Sequence, residues 1–156
     1  MTQRCDCAES QHAVRLVAIM GCPGAGKTAL LETARHHLCS LVLVLPESAG
    51  IVFGGGFPRH DSAAGLRASQ RAIFHIQREM ERLVSDEAQA AIALCDRGTL
   101  DALAYWPGEP TEFWEEVSSS VEAELDRYIA LIHLEVPDAT QGYERFSKSP
   151  PHRVQR

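Results

Sequence analysis

The sequence lacks the features that mark membrane, secreted and nucleic-acid-binding proteins. No apolar run reaches the roughly 18 residues that a membrane span needs, and residues 1–12 are polar, unlike a signal-peptide core. Positive charge is also scarce, because 15 lysines and arginines stand against 21 aspartates and glutamates, for a net charge of −6. A large nucleic-acid surface needs clustered basic residues. We therefore expect a cytoplasmic protein with no membrane span and no nucleic-acid partner.

Cysteine usage excludes a disulfide framework as well. The five cysteines are odd in number and scattered along the chain. Cys5 and Cys7 have no second Cys or His pair at the spacing of a zinc site, so residues 1–12 are interpreted as a flexible, thiol-bearing tail. At 156 residues the chain has the length of one domain with an ordinary core.

One stretch matches a phosphate-binding pattern at every required position: Gly, four residues, then Gly-Lys-Ser/Thr. We call it the phosphate loop, and it consists of Gly21, Cys22, Pro23, Gly24, Ala25, Gly26, Lys27 and Thr28. The apolar run Val14–Met20 predicts a buried strand before it, and residues 28–35 are good helix formers. This context of strand, loop and helix favours a phosphate site over an ordinary Gly/Pro-rich turn.

The residue types of the phosphate loop suit a polyphosphate and a metal ion. Glycines let successive backbone N–H groups point inward, and the positive end of the following helix acts in the same direction. Lys27 then supplies a charge to the outer phosphates, and the Thr28 hydroxyl is a ligand for Mg²⁺. Cys22 is either a small filler or a thiol whose oxidation or alkylation blocks nucleotide binding.

Two further strands deliver acidic residues to the same edge of the predicted sheet. Leu41–Leu45 is stopped by Pro46, and Glu47 follows as a candidate base or ligand of a metal-bound water, or simply as a helix-starting acid. The third apolar run, 90–95, ends at Asp96. A carboxylate on the end of a buried strand is a second Mg²⁺ ligand in phosphate-loop proteins, and the alternative is a surface Asp-Arg pair.

Arg97 after Asp96 favours phosphoryl transfer over motor-type hydrolysis, because motor enzymes usually have a second acid there. We expect its guanidinium to contact an acceptor phosphate or the charge that develops during transfer.

The remaining patterns predict the connections and the other helices. Residues 48–61 contain Gly54-Gly55-Gly56 and predict a mobile connection that contacts substrate, or a plain linker. A long helix is predicted over 62–86, a short helical segment over 99–106, a single amphipathic helix from Thr111 to Leu125, and a fourth strand over 128–136. The predicted core stripe of the long helix consists of Leu66, Ile73, Ile76, Met80, Leu83 and Val84.

The final segment, 138–156, is the one basic part of an acidic chain. It is either a disordered end or a lid in which Arg145 or Arg153 closes over the phosphates. The predicted organisation is therefore a tail over 1–12, a core over 13–137 and this basic segment.

Several motifs together resemble a known family. They are the phosphate loop, Pro46-Glu47-Ser48-Ala49, the segment from Gly54 to Arg59, the segment from Asp96 to Trp106, and Tyr143 with Pro151 and Arg153. The sequence is similar in these motifs to small AAA-domain ATPases related to the kinase domain of NadR-type nicotinamide riboside kinases and to TRPL translocation defect proteins. The resemblance implies a three-layer α/β fold of the phosphate-loop kinase type with strand order 2-3-1-4-5, ATP or GTP with Mg²⁺, and a lid. Only four strands are predicted here, so we expect the last helix and strand to be lacking.

The function expected from these patterns is binding of ATP or GTP, with Mg²⁺-dependent transfer of phosphate to a small-molecule acceptor or hydrolysis of the nucleotide. Lys27, Glu47, Asp96, Arg97 and Arg153 are the expected catalytic residues. The alternatives are a nucleotide-gated binding module with slow hydrolysis and an inert fragment.

Overall fold

Four parallel strands form one sheet in the computed structural model, which describes residues 13–87 and 90–136. They are β1 (Arg15–Gly21), β2 (Val42–Leu45), β3 (Ile92–Asp96) and β4 (Tyr128–Leu134). The order across the sheet is β2-β3-β1-β4, which agrees with the implied order over these four positions. Ile19 of β1 pairs with Asp96 of β3, so the carboxyl ends of the two central strands meet at one edge.

Helices connect the strands, as parallel pairing requires. They are α1 (Lys27–His37), α2 (Ser48–Gly54), α3 (Ala63–Glu87), a 3₁₀ helix (Thr99–Tyr105), α4 (Pro110–Glu116) and α5 (Val121–Leu125). The expected α/β fold is confirmed.

The core has a layer on each face of the sheet, because strand side chains alternate between faces. One layer contains Leu16, Ala18, Leu45, Ala93, Cys95 and Tyr128, with Met80 and Val84 of α3 against it. The other contains Val17, Ile19 and Leu31. A separate aromatic cluster packs α3 against the 3₁₀ helix and α4, and consists of Phe74, Trp106, Phe113 and Trp114 with Ala102 and Val117.

The predicted core stripe of α3 is wrong in part: Met80 and Val84 pack against the core, but Ile76 and Leu83 do not lie in it. Leu83 is 57% exposed and Ile76 is 36% exposed, whereas the fully buried positions of the helix are mostly polar. These buried residues are Ser69, Gln70, Phe74, Gln77 and Glu81. The polar face turns inward because Glu81 and Gln77 have hydrogen-bonding partners there, which offsets the cost of burying them.

The predicted helix from Thr111 to Leu125 is two helices. The chain takes a left-handed conformation at Ser118 (φ 52°), which ends the first helix and redirects the backbone. Ser120 then caps α5 by accepting a hydrogen bond from the Ala123 N–H. Leu125, expected on the apolar stripe, is 40% exposed.

The connection predicted over 48–61 begins as a helix. Residues 48–54 form α2, in which the Val52 side chain is buried. The apolar residues before the three glycines therefore belong to a helix. Only from Gly55 does the chain leave the helix.

Strand β4 lies at an edge of the sheet, with no strand beyond it in the described ranges. Ile129, Leu131 and Ile132 are each more than 40% exposed, and His133 is exposed too. No helix in the described parts of the chain is both long and apolar enough to cross a membrane. The predicted tail over 1–12 and the basic segment over 138–156 lie outside the described residues.

Candidate functional site

The phosphate loop joins the end of β1 to the start of α1. Gly24 (φ 86°) and Gly26 (φ 88°) both have the left-handed conformation that only glycine adopts at little cost. Gly26 is also the N-cap of α1, which has no side-chain cap and no acidic residue in its first turn. No side chain of the helix neutralises its positive N-terminal end, so an anion bound there would accept hydrogen bonds from the free backbone N–H groups.

Lys27 is folded into the loop. Its Nζ lies 2.6 Å from the carbonyl oxygen of Gly21 and 3.1 Å from that of Cys22, and the residue is only 9% exposed. An ammonium group has three protons to donate. Two are directed at the loop carbonyls, so one remains for an incoming phosphate oxygen.

Asp96 carries a half-buried carboxyl group at the carboxyl end of β3. Within 13–87 and 90–136, this group makes no hydrogen bond or ion pair. Burial raises the pKa of Asp96, the negative charge of Glu47 raises it further, and Lys27 and Arg97 act in the opposite direction. The carboxyl group thus lies within electrostatic range of the phosphate loop lysine.

The oxygen donors of Thr28 and Asp96 are of the kind that Mg²⁺ takes as ligands. Thr28 is exposed, and its hydroxyl, like the Asp96 carboxyl, has no hydrogen-bonding partner in the described chain. No group of three or more His, Cys, Asp or Glu residues that could hold a metal occurs in the described residues. Mg²⁺ suits such a sparse set because it keeps several waters and takes its other ligands from substrate phosphates.

Arg97 is clamped between two carboxylates. Its Nε donates to Glu47 Oε1 at 2.6 Å, and its Nη1 donates to Asp101 Oδ1 at 3.3 Å. Burial lowers the pKa of Arg97, but the bond to Glu47 and the charge of Asp101 outweigh burial and raise it overall. The guanidinium is thus held by protein carboxylates and ties the carboxyl end of β2 to that of β3.

A buried network of hydrogen bonds holds the chain segment that follows Arg97. The hydroxyl of Tyr128 accepts a hydrogen bond from the Thr99 N–H at 3.0 Å and donates to Glu81 Oε1 at 2.7 Å. Glu81, fully buried, also accepts from Gln77 at 2.8 Å and from Arg127 at 2.6 Å. Sequence reasoning missed these residues. A glutamine at i and a glutamate at i+4 on one helix, Gln77 and Glu81, are the available sequence signal.

A cavity of about 840 Å³ opens beside Arg97 and its two carboxylate partners, Glu47 and Asp101. Helices α2 and α3, the 3₁₀ helix and the segment around Arg59 enclose it. Its polar lining includes Glu47, Ser48, Gln70, Arg97 and Asp101, and its apolar lining includes Phe53, Leu66, Ile73 and Tyr105.

The predicted site residues therefore fall into three groups. The phosphate loop and Asp96 lie at the carboxyl ends of the central strands, and Glu47 and Arg97 pair with each other beside the cavity. Cys22 is exposed on the loop. Arg153, together with Arg145 and Tyr143, lies outside the described residues.

A parallel sheet with a glycine-rich loop between its central strand and a helix N-terminus defines an α/β domain of the phosphate-loop NTPase type. The comparison with family models agrees, since the AAA domain family model matches residues 16–155. The chain belongs to this AAA domain family. A comparison with curated proteins found no match. Membership in this family suggests that the chain binds a nucleotide. The chemistry associated with such domains is hydrolysis of the nucleotide or phosphoryl transfer.

Proposed function

We propose that the protein binds a Mg²⁺ complex of ATP or GTP at the phosphate loop and transfers the γ-phosphoryl group to a small molecule held in the adjacent cavity. The observation that carries this proposal is the unpaired carboxyl group of Asp96, which lies within electrostatic range of Lys27. A half-buried carboxylate without a partner is costly, so its position favours a cation as partner.

The roles of the residues follow from their surroundings. Lys27 and the loop amides would bind the outer phosphates, and Thr28 with Asp96 would hold Mg²⁺, which draws electron density from the γ-phosphate oxygens. Glu47 has one oxygen bonded to Arg97, which leaves Oε2 to accept the proton of an acceptor hydroxyl. The acceptor oxygen forms a bond to phosphorus, the bond to the β-phosphate oxygen breaks, and the products are a phosphate monoester and a nucleoside diphosphate.

The lack of an acid after Asp96 supports transfer over motor-type hydrolysis. The similarity to the kinase domain of NadR-type proteins supports it too, and a cytoplasmic location fits an enzyme that uses ATP or GTP. In this proposal Arg97 positions Glu47, and Arg153 from the basic segment is a candidate contact to the phosphates.

The test combines binding with group transfer in the full-length protein. Titration calorimetry with Mg-ATP and Mg-GTP measures binding, and γ-labelled nucleotide with a set of small alcohols and nucleosides measures transfer. We expect Lys27→Ala and Asp96→Asn to lose at least 10²-fold in transfer rate, the usual scale for removing one stabilising group. Asp126→Asn, which changes an exposed aspartate after α5, is the matched control and keeps full activity. Undiminished transfer in Lys27→Ala would disprove the proposal.

A second candidate is a nucleotide-gated binding module with slow hydrolysis. The exposed apolar side chains of edge strand β4 favour it, because such an edge is a template for a protein partner. Release of labelled inorganic phosphate without any labelled acceptor, at a rate unaffected by the acceptor set, would distinguish this module from a kinase.

A further inference from the structure

The cavity contains two buried polar side chains without partners. Gln70 of α3 is 6% exposed and Ser48 of α2 is 3% exposed, and both line the cavity. Neither side chain forms a hydrogen bond within the described ranges of the chain. Their polar atoms are not sealed in the interior either, unlike Oε1 of Gln77. Gln70 and Ser48 therefore present their hydrogen-bonding groups to the cavity.

A comparison along α3 shows that Gln70 is unusual. Gln77, two turns further along the same face, uses its amide to bond Glu81 at 2.8 Å. Ser69, the neighbour of Gln70, bonds the Leu66 carbonyl at 2.9 Å. Buried polar groups are normally hydrogen-bonded to the protein or to water. The Gln70 amide has no partner in the described protein and is open to the cavity, so its donor and acceptor are available to a ligand there.

The charges of the cavity define the ligand further. Its lining has three carboxylates (Glu47, Asp61 and Asp101) and two guanidinium groups (Arg59 and Arg97). Arg97 is already bonded to two of these carboxylates, and Arg59 lies 3.9 Å above the ring of Phe53 in an exposed position. A phosphate group needs cationic donors that are free to turn toward it. A cavity that is acidic overall, and whose partly buried Arg97 is already bonded to two carboxylates, disfavours binding of a dianion.

We propose that this cavity binds an uncharged, hydroxyl-bearing compound, with Gln70 and Ser48 as the residues that recognise its polar groups. The inference rests on the proposed function, since the bound compound would be the acceptor of the phosphoryl group. Gln70 offers both a donor and an acceptor, so it matches an amide, a carbonyl beside an N–H, or a pair of hydroxyls. Phe53, Leu66, Ile73 and Tyr105 cover the apolar part of the ligand.

Binding without nucleotide is the direct test. The full-length protein is titrated with uncharged nucleosides and polyols up to 10 mM, and with the 5′-monophosphates of the same nucleosides, by calorimetry and by thermal shift. We expect saturable binding of at least one uncharged compound and at least tenfold weaker binding of its monophosphate. A monophosphate that binds equally or more tightly, or no saturable binding by any uncharged member, would overturn the proposal.

Variants then assign the binding to these side chains. Two single variants are made, Gln70→Leu and Ser48→Ala. Each should lower the affinity for the uncharged ligand that binds most tightly at least tenfold and leave the affinity for Mg-ATP or Mg-GTP unchanged. Glu79→Ala, at an exposed position of α3, is the matched control with wild-type affinity for both. Wild-type ligand affinity in both cavity variants would contradict the assignment. Ligand binding without labelled product would instead refute phosphoryl transfer and leave the cavity assignment intact.

Discussion

The hydroxyl group of Tyr128 donates a 2.7 Å hydrogen bond to Glu81, and this pair joins edge strand β4 to helix α3 in the interior. The same hydroxyl accepts from the backbone N–H of Thr99, three residues after Asp96. The pair therefore supports the chain segment that follows Asp96 and Arg97.

Tyr128→Phe tests this support. The substitution leaves the buried Thr99 N–H without its hydrogen-bonding partner and removes one of the two hydrogen bonds to Glu81 Oε1, the other being from Gln77. We therefore expect a loss of about 1–3 kcal/mol in the free energy of unfolding. Denaturant unfolding measures it. Tyr105→Phe is the control, because Tyr105 is 53% exposed and its hydroxyl is not hydrogen-bonded within the described chain. Equal stability losses in the two variants would contradict the supporting role of Tyr128.

Glu81 should make the stability of the fold depend on pH. Burial raises its pKa above the ordinary value of 4.5, against the opposing effects of hydrogen bonds from Gln77 and Tyr128 and the charge of Arg127. The folded state therefore holds the proton more tightly than the unfolded state. The stabilisation from Glu81 is fully present below pH 4.5 and is lost as the pH rises through the folded pKa.

Glu81→Gln removes this titration. We expect its free energy of unfolding, relative to wild type, to improve steadily as the pH rises from 4.5 through the raised folded-state pKa of Glu81, as measured by urea unfolding at each pH. Arg127, Tyr128 and Cys95 also face the carboxyl group and stay unchanged in this variant. Exposed Glu79→Gln should run parallel to wild type at every pH. A constant difference between Glu81→Gln and wild type would show that Glu81 does not titrate in this range.

Gly98→Ala should destabilise the segment after β3. A methyl group at Gly98 would lie 3.2 Å from the Cβ of Ala18, which is on β1, and 3.2 Å from the hydroxyl oxygen of Tyr128, which bonds Glu81. Overpacking of this kind costs about 1–3 kcal/mol. Gly50→Ala in α2 meets nothing within 4 Å and should be neutral or stabilising by up to about 1 kcal/mol. Thermal unfolding of the two variants side by side checks the contrast.

Alkylation of Cys22 should block nucleotide binding. Cys22 is exposed on the phosphate loop, whereas Cys95 is buried and its thiol pKa is raised by burial, so Cys95 stays protonated and unreactive. We expect iodoacetamide to abolish Mg-ATP and Mg-GTP binding and a saturating nucleotide to protect against it. Cys22→Ser should bind normally and resist the reagent. Unchanged affinity after stoichiometric modification of Cys22 would contradict the prediction.

The sequence was a good guide where the signal is local. Buried parallel strands are continuous apolar runs and the phosphate loop has fixed spacing, so β1, α1 and the positions of Asp96 and Glu47 follow from short windows. The clamp on Arg97 could not be predicted, because its partner Glu47 is 50 residues away along the chain.

Helix α3 shows why the rest was not predictable. Its apolar residues predict one inward face, but tertiary partners decide which face is buried: Arg127 and Tyr128 reach Glu81 from 46 and 47 residues away. The same limit applies to Ser118, where one left-handed residue divides a pattern that is continuous in sequence.

The inward polar face of α3 carries two residues in different surroundings: Gln70 lines the cavity, and Glu81 belongs to the buried hydrogen-bond network. Gln70 and Glu81 are eleven positions apart on one helix, about 16 Å along its axis. If Gln70 recognises the ligand as proposed, substitutions at this position would alter which compound the cavity binds without removing the hydrogen bonds of Glu81. One helix that carries both positions would allow the ligand preference of the cavity to change while the same scaffold is kept.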